Sequence, residues 1–341
     1  MAQQGNTSAQ PSKTDAHKAQ NSSAGNIQKK KSSFIGYALA IGAAICWSTG
    51  GLISNILMTT PSAQTADWVI RPFGETIAPT VLSGARALSA TLILAVILLL
   101  VNRSAFKLEK PTRDVLFLVP FGALALAGMH FTYFKAIETS NVTTAILLEY
   151  LAPIFTLFYG VFILKHKVSW HMPMGVVLSI LGCAIVVGAF NPGGLLISQS
   201  GLIWGLIAAF FFALYSTMGG RGSLRYSPFT LLFYGLLFAA IMWLIVLGPS
   251  TILTVFTHPK MALAIIVIAC ISTIIPFGAY LYALKYISPT HATIAAMVEP
   301  VSAALCSWFL FKEPLTWSLA LGGAIILGAI ALIQLSEMQD S

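Results

Sequence analysis

The stretch VTTAILLEYLAPIFTLFYGVFIL, residues 142–164, determines the fold class of this chain. It contains a single charged side chain, Glu149, among residues that are otherwise apolar or weakly polar. A helix of roughly 20 apolar residues crosses the hydrocarbon core of a bilayer, which is about 30 Å thick. Only a helix satisfies its own backbone hydrogen bonds in lipid, and the run is too uniformly apolar for a barrel strand. Residues 142–164 are therefore predicted to form a transmembrane helix.

Similar apolar runs occupy most of the chain. Of its 341 residues, 57% are hydrophobic and 9% are charged, and the mean hydropathy is +0.83. A soluble domain carries about 25% charged residues, so this chain cannot cover itself with a surface that suits water. The sequence predicts an all-α polytopic membrane protein with ten transmembrane helices. The predicted spans are Gly36–Leu57, Ala78–Val101, Val115–Phe134, Val142–Leu164, Met172–Phe190, Gly201–Met218, Pro228–Leu247, Met261–Leu284, Thr290–Phe311 and Trp317–Leu335.

The distribution of Lys and Arg predicts how the spans are oriented. Residues 1–33 are polar and basic and are expected to form a disordered cytoplasmic tail, with residues 337–341 as a second short tail. Because cytoplasmic segments are enriched in Lys and Arg, a count of fourteen such residues inside and four outside places both termini in the cytoplasm. The net charge of +8 then reflects orientation in the cell (cytoplasmic) membrane and not nucleic-acid binding. The inner residues are Lys13, Lys18, Lys29, Lys30, Lys31, Arg103, Lys107, Lys110, Arg113, Lys165, Lys167, Arg221, Arg225 and Lys285, and the outer ones are Arg71, Lys135, Lys260 and Lys312.

The chain also contains an internal repeat. Shifting the sequence by 147 residues against itself aligns nine identical pairs in the 43 positions from 133–175 to 280–322. Two five-helix repeats, residues 34–190 and 191–336, are therefore predicted, and the odd number of spans inverts one repeat relative to the other. The first repeat is longer because of an extended outer segment around Met58–Ile77. The aligned pairs are Tyr133 and Tyr280, Ala136 and Ala283, Thr143 and Thr290, Ala145 and Ala292, Pro153 and Pro300, Phe162 and Phe309, Lys165 and Lys312, Trp170 and Trp317, and Gly175 and Gly322.

Four passages resemble the EamA-type family of the drug/metabolite transporter superfamily. They are CWSTGG (Cys46–Gly51), LLEYLAP (Leu147–Pro153), KHKVSW (165–170) and the run from ALKYISPTHATIAAMVEPVSAAL to FKEPLTW (Ala283–Trp317). The resemblance extends over both repeats. It implies a ten-helix carrier that exports or imports amino acids and other small metabolites, often driven by a proton or substrate gradient. The polar N-terminal tail and the extended first outer segment depart from the common pattern of the family.

Three formally charged residues fall inside the predicted spans: Arg86, Glu149 and Glu299. Each costs about 2.5 to 3.5 kcal/mol at the centre of a bilayer, so each is expected to face protein or water. A glutamate in this position can carry a proton across with a solute or accept an ammonium group. The alternative is that it fixes helix packing through a hydrogen bond. By helical spacing, the residues on the same face are Pro153 and Thr156 for Glu149, and His291, Ala295, Ser302 and Cys306 for Glu299.

Further polar and aromatic residues are candidates for a substrate-binding or proton-coupling site. Arg86 can pair with an acid or bind a carboxylate substrate, and its alternative is snorkelling towards the outer surface. Aromatic residues of membrane helices more often serve packing or the interface than ligand binding. Tyr133 and Tyr280 stand out because they are repeat equivalents. The candidates besides the three charged residues are Trp47, Ser48, His130, Tyr133, Tyr280 and His291.

A secondary transporter is the function that the sequence favours, since inverted repeats around a midplane site permit alternating access. The expected activity is export of an amino acid or related small solute, coupled to protons or to exchange. The alternative is a channel, which would need filter residues, or a membrane enzyme, which would need a converging motif such as HExxH or GxSxG; the sequence contains neither. Four isolated cysteines predict no metal site, and no cofactor is expected. The predicted partners are a small-molecule substrate and the lipid bilayer, and homodimerisation stays open.

Overall fold

The computed structural model describes residues 13–58, 76–163, 170–190, 197–287, 292, 295–296 and 298–339. Within these residues all regular secondary structure is helical. Two short 3-10 helices, Arg103–Phe106 and Thr254–Thr257, lie in connecting segments. The α-helices are α1 Lys13–Met58, α2 Pro79–Val101, α3 Pro111–Thr139, α4 Val142–Glu149, α5 Ala152–Phe162, α6 His171–Val186, α7 Gln199–Ser223, α8 Pro228–Leu247, α9 Pro249–Leu253, α10 Pro259–Ala283, α11 Val298–Phe311 and α12 Trp317–Gln339.

Seven helical segments among the described residues are long and apolar enough to cross a membrane. They are α1 from Ser33 onward, α2, α3, the interrupted pair α4 and α5, α7, α8 and α10. Three shorter apolar helices, Met174–Val186, Val298–Phe311 and Trp317–Ala329, lie where the fifth, ninth and tenth spans are predicted. The prediction of an all-helical, multi-pass membrane protein is confirmed. The predicted count of ten exceeds the seven that length and composition support in the described part of the chain.

Local sequence determines where the helices begin and end. Proline opens α2, α3, α8 and α10, since the first helical turn needs no N–H donor. The third span, predicted as Val115–Phe134, is longer in the structure and covers Pro111–Thr139. At its end Lys135 forms an ion pair with Glu138 on the next turn, so polar residues that hydropathy assigns to the loop extend the helix.

The first helix begins at Lys13 and runs without interruption into the first span. This differs from the disorder predicted for residues 1–33, of which residues 1–12 lie outside the described residues. Residues 13–32 include five Lys, three Ala and two Gln, which favour helix. Extending an existing helix also avoids the cost of a new nucleus. The polar segment from Lys13 onward is therefore continuous with the first membrane helix.

Two of the predicted spans are interrupted at positions that nearly coincide when the two predicted repeats are aligned. The fourth span divides into α4 and α5, and Tyr150 lies in the turn between them. In the ninth span Ala296 lies in a turn and α11 begins at Val298. Pro153 and Pro300, which follow the two breaks, have no backbone N–H to continue a helical ladder. Interrupted membrane helices are a frequent feature of transport sites.

Two π-helical segments also occur at positions that overlap when the two predicted repeats are aligned. Pro120–Leu126 lies within α3, and Cys270–Ile274 lies within α10. Shifted by 147 residues, the first segment covers 267–273 and overlaps the second. In α10, Pro276 has no N–H for the carbonyl of Ser272, its partner in a regular α-helix. Such segments are frequent at functional sites, and this one frees a carbonyl for a bond from another helix.

Helices α6 and α12 approach closely through a pair of glycines. An added Cβ at Gly322 would lie 2.7 Å from the carbonyl oxygen of Gly182, and one at Gly182 would lie 2.9 Å from the carbonyl oxygen of Gly322. Both neighbours are backbone atoms, which cannot rotate away. Small residues permit this kind of close approach between membrane helices, so the α6–α12 contact depends on both glycines.

The substitution Gly322→Ala is expected to lower the melting temperature of the purified protein in detergent, because the added methyl group forces the two backbones apart. Overpacking typically costs about 1–3 kcal/mol. Gly328→Ala on the same helix is the matched control, since an added Cβ there meets no atom within 4 Å. Equal melting temperatures for the two variants would contradict the close contact between α6 and α12.

Candidate functional site

A cavity lies between α1, α2, α3, α4, α7, α10 and α11, and its empty space measures about 440 Å³ when the opening to solvent is included. Its wall combines ionisable, aromatic and small residues drawn from both predicted repeats. The lining residues are Trp47, Gly50, Gly51, Arg86, Met129, His130, Tyr133, Glu149, Phe212, Ser272, Phe277 and Glu299.

The structure brings most of the predicted site residues together at this cavity. Tyr280 lies behind the wall, with its ring centroid 5.3 Å from that of Trp47. The Ser48 hydroxyl turns back to its own helix and donates to the Ile45 carbonyl at 2.8 Å. His291 lies outside the described residues. The predicted residues that line the wall are Trp47, Arg86, His130, Tyr133, Glu149 and Glu299, and their roles stay predictions.

Arg86 is buried against α10 and does not reach the surface, as snorkelling would require. Its Nε donates to Thr273 Oγ1 at 2.6 Å, and its Nη2 donates to the Ser272 carbonyl at 3.0 Å. The rings of Phe134 and Phe277 lie 5.3 and 5.7 Å from its Cζ, a distance suited to cation–π attraction. A guanidinium has five N–H donors, so donors remain for an anionic group in the cavity after these two bonds are made.

Glu149 and Glu299 reach the cavity from the two interrupted spans. Glu149 is the last residue of α4, and Glu299 lies in the first turn of α11, where the helix dipole favours a carboxylate. Glu149 is close enough to Glu299 and to Arg86 for electrostatic interaction with both. The two interrupted spans therefore bring two acids to the wall that Arg86 reaches from α2.

Three polar atoms on the wall are buried and have no hydrogen-bond partner among the described residues. They are Trp47 Nε1, His130 Nε2 and Tyr133 Oη. An unsatisfied buried polar group costs about 1–3 kcal/mol, and buried polar groups are nearly always paired. Their convergence on one cavity is what the site of a polar solute requires.

Several residues of the wall were not predicted from the sequence. Phe212 and Phe277 are indistinguishable in sequence from the many aromatic residues that pack the bundle. The adjacent glycines Gly50 and Gly51 carried a signal, because they lie one turn beyond Trp47. An added Cβ at Gly50 would overlap the side chain of Ser272, and the structure therefore needs a glycine where α1 meets α10.

A second polar cluster joins the two predicted repeats at one end of the bundle. Asp114 Oδ1 accepts from Arg225 Nη2 at 2.6 Å and from Tyr226 Oη at 2.9 Å, and Asp114 Oδ2 accepts from the Lys110 backbone N–H at 2.9 Å. Burial and the hydrogen bond to Asp114 raise the pKa of Tyr226 to about 12. The phenol therefore keeps its proton at physiological pH, and this donor is lost only as the pH rises towards 12. We call these four residues the Asp114 cluster.

The variants Asp114→Asn and Arg225→Gln are each expected to lower the melting temperature, because each breaks the ion pair. A partly exposed ion pair contributes about 0.2–1 kcal/mol. The double variant is expected to lose little more than either single variant, since both changes remove one shared interaction. Glu138→Gln, which breaks the exposed pair with Lys135, is the control and is expected to have a smaller effect. Simple additivity of the two single changes would contradict a coupled cluster.

A multi-pass helical membrane protein that holds ionisable side chains from interrupted helices around a central cavity has the architecture of a membrane transporter. The family follows from the sequence as a whole. A model of the EamA-like transporter family matches residues 34–188 and 199–335, and the chain belongs to this family. The resemblance indicated by the four sequence passages is confirmed.

Relatives of the chain also carry transporter names. YicL of Salmonella typhimurium, an uncharacterized inner membrane transporter, is 26% identical over 299 residues, which cover 86% of this chain and 93% of YicL. YedA of Escherichia coli, also an uncharacterized inner membrane transporter, is 31% identical over 284 residues, which cover 79% and 86% of the two chains. An S-adenosylmethionine uptake transporter of Rickettsia prowazekii is 27% identical over 248 residues, covering 70% and 77%. A solved crystal structure that is 19% identical superposes with a TM-score of 0.59 over 91% of this chain and 98% of its own, which establishes the shared fold alone.

Proposed function

We propose that this protein is a secondary transporter that exports an amino acid or a related small zwitterion across the cytoplasmic membrane by alternating access. The observation that carries this proposal is the shared cavity of Arg86, Glu149 and Glu299. A carboxylate suits the guanidinium and an ammonium group suits either acid, in charge-assisted hydrogen bonds. Phe212 and Phe277 offer apolar surface for the rest of the solute.

The proposed arrangement has ten transmembrane helices in two inverted five-helix repeats, with both termini in the cytoplasm. Three features support it: the identities at an offset of 147 residues, the overlapping π segments, and the breaks that precede Pro153 and Pro300. Cysteines introduced at Ala2 and Asp340 are expected to react with an impermeant maleimide only after the cells are permeabilised, with the unmodified chain as the background. Labelling of either position in intact cells would rule out this arrangement.

We assign to Glu149 and Glu299 the coupling of solute transport, either to proton movement or to exchange of a second solute. An acid that alternates between binding a proton and binding an ammonium group links the movements of both, because the two ligands compete for one carboxylate. Exchange needs no net proton movement and requires only that the loaded carrier reorients. Glu149 and Glu299 lie in the same cavity and can divide these tasks.

The test is flux into proteoliposomes across a panel of amino acids and related metabolites, with and without an imposed pH gradient. S-adenosylmethionine belongs in the panel, since one relative is named as its uptake transporter and the molecule carries both an ammonium and a carboxylate. Saturable flux of at least one zwitterion is expected, with weaker flux of its decarboxylated amine. Flux that rises linearly with concentration would indicate a channel, and absence of flux across the whole panel would refute the substrate class.

A further inference from the structure

Tyr150 connects the two predicted repeats at their helix breaks. It lies in the turn between α4 and α5, is buried, and its ring stands edge-on to Phe212 at a centroid distance of 6.4 Å. Its hydroxyl reaches the other break, where it contacts the carbonyl oxygen of Ala296 and lies 3.1 Å from Glu299 Oε2. Tyr150 does not line the cavity, so contact with a solute does not account for this hydroxyl.

The two contacts of Tyr150 compete for one proton, because a phenol has a single O–H donor. When Glu299 is ionised, its carboxylate is the stronger acceptor and draws that proton into a charge-assisted bond. When Glu299 is protonated, it can donate to Tyr150 Oη, and the Tyr150 proton is then directed to the Ala296 carbonyl. The same carbonyl accepts the backbone N–H of Glu299 at 2.9 Å. The hydrogen bond between the repeats therefore ends on the first turn that follows the break.

We propose that the Tyr150 hydroxyl is a relay that converts proton binding at Glu299 into a change in the hydrogen bond between Tyr150 in the first repeat and Ala296 in the second. Protonation of Glu299 directs this bond to the Ala296 carbonyl, and ionisation of Glu299 releases it. This inference rests on the proposed function, since it explains how a proton on one helix alters the contact between the moving halves. Tyr150 is a positioning residue that acts through Glu299.

Other ionisable groups surround the relay and titrate in the same region. Glu149 and Tyr133 interact electrostatically with Glu299, and α1, which also packs against α11, contributes the uncharged Trp47 to the wall. A test must therefore remove the Tyr150 hydroxyl without removing any of these charges. The groups that face Glu299 or Tyr150 from the neighbouring helices are Arg86 on α2, His130 and Tyr133 on α3, Glu149 on α4 and Tyr280 on α10.

The variant Tyr150→Phe keeps the ring and removes only the hydroxyl. Tyr215→Phe is the matched control, because Tyr215 is equally buried, lies off the cavity wall, and its hydroxyl has no hydrogen-bond partner in the described part of the chain. Infrared difference spectra between acid and alkaline pH, recorded in liposomes without solute, report the C=O stretch of a protonated carboxyl. The band of Glu299 is identified by its loss in Glu299→Gln. It is expected to shift to higher frequency in Tyr150→Phe and to keep its wild-type position in Tyr215→Phe.

Hydrogen exchange of the backbone amides in the segment 295–311 reports whether the helix break at Ala296 responds to protonation of Glu299. In the wild type, exchange corrected for the intrinsic effect of pH is expected to differ between acid and alkaline pH, and this difference is expected to vanish in Tyr150→Phe and in Glu299→Gln. An unshifted band in Tyr150→Phe, or a pH difference that persists in Glu299→Gln, would overturn the relay. The measurement on Glu299→Gln does not depend on the Tyr150 variant, so it tests the relay even if Tyr150→Phe folds poorly. Neither measurement uses a solute, so a failure of the relay is distinct from absence of flux, which refutes the proposed function.

Discussion

Proteoliposomes that contain Glu299→Gln are expected to lose the stimulation of solute flux by an imposed pH gradient, while solute exchange stays measurable. Glutamine matches glutamate in shape but cannot take up and release a proton. Glu299 is 6% exposed, lies on the cavity wall and contacts Tyr150. Bulk water therefore cannot readily take over the role of its carboxyl as the group that binds and releases the proton. We expect the gradient-driven rate to fall at least about tenfold, which corresponds to about 1.4 kcal/mol in the barrier.

Two further variants make this result specific. Glu149→Gln removes the other acid of the cavity and is expected to weaken coupling as well, because both acids share the site. Glu138→Gln removes an acid outside the cavity, which pairs with Lys135, and is expected to behave as the wild type. If Glu149→Gln and Glu299→Gln both transported at the wild-type rate with an unchanged pH dependence, the assignment of the coupling sites would be wrong.

The substitution Arg86→Lys is expected to lower transport efficiency by about 10- to 100-fold although the positive charge is kept. The planar guanidinium donates to Thr273 Oγ1 and to the Ser272 carbonyl at the same time, and its Cζ lies 5.3 and 5.7 Å from the centroids of two phenylalanine rings. An ammonium cannot reproduce this geometry. Loss of a hydrogen bond to a charged group costs about 1.5–3 kcal/mol, which is the basis of the expected range. Arg103→Lys is the matched control, because Arg103 is exposed and donates to the Leu99 carbonyl in the last turn of α2.

The substrate preference of an Arg86 variant separates binding from packing. If Arg86 binds the carboxylate of the solute, Arg86→Gln is expected to lose flux of an amino acid far more than flux of the corresponding decarboxylated amine. A role in packing alone would lower both fluxes by the same factor. The ratio of the two initial rates, measured in the same proteoliposome preparation, distinguishes these outcomes even when the total amount of folded protein falls.

Hydropathy was sufficient to predict the helices but not their interruptions. The single charge in residues 142–164 left that run within the limits of one span, and the structure nevertheless divides it at Tyr150. Breaks and π segments depend on missing backbone N–H donors and on donors that another helix supplies in their place, as Arg86 does for the Ser272 carbonyl. A pattern of apolar residues indicates neither the missing donors nor the hydrogen bonds from other helices. The orientation of the spans and their number stay predictions.

The candidate site was predictable where charge made a residue conspicuous. Arg86, Glu149 and Glu299 were selected because a charge in a membrane span needs a reason, and all three lie on one cavity wall. Tyr150 adjoins Glu149 in the sequence but has no distinguishing pattern, since its partner Ala296 contributes only a backbone carbonyl. Contacts made through the backbone leave no trace in the identity of the partner residue.

The Asp114 cluster has no counterpart in the predicted second repeat, because Asp114 aligns with Met261 at the offset of 147 residues. In the proposed inverted arrangement, two halves that exchange conformations convert an inward-open state into an outward-open one, and identical halves would make these states isoenergetic. A cluster that ties only one end of the bundle removes this degeneracy. At about 0.2–1 kcal/mol for a partly exposed ion pair, the state closed at that end is favoured by at most about fivefold. The empty carrier would therefore rest with its cavity open on the side opposite Asp114.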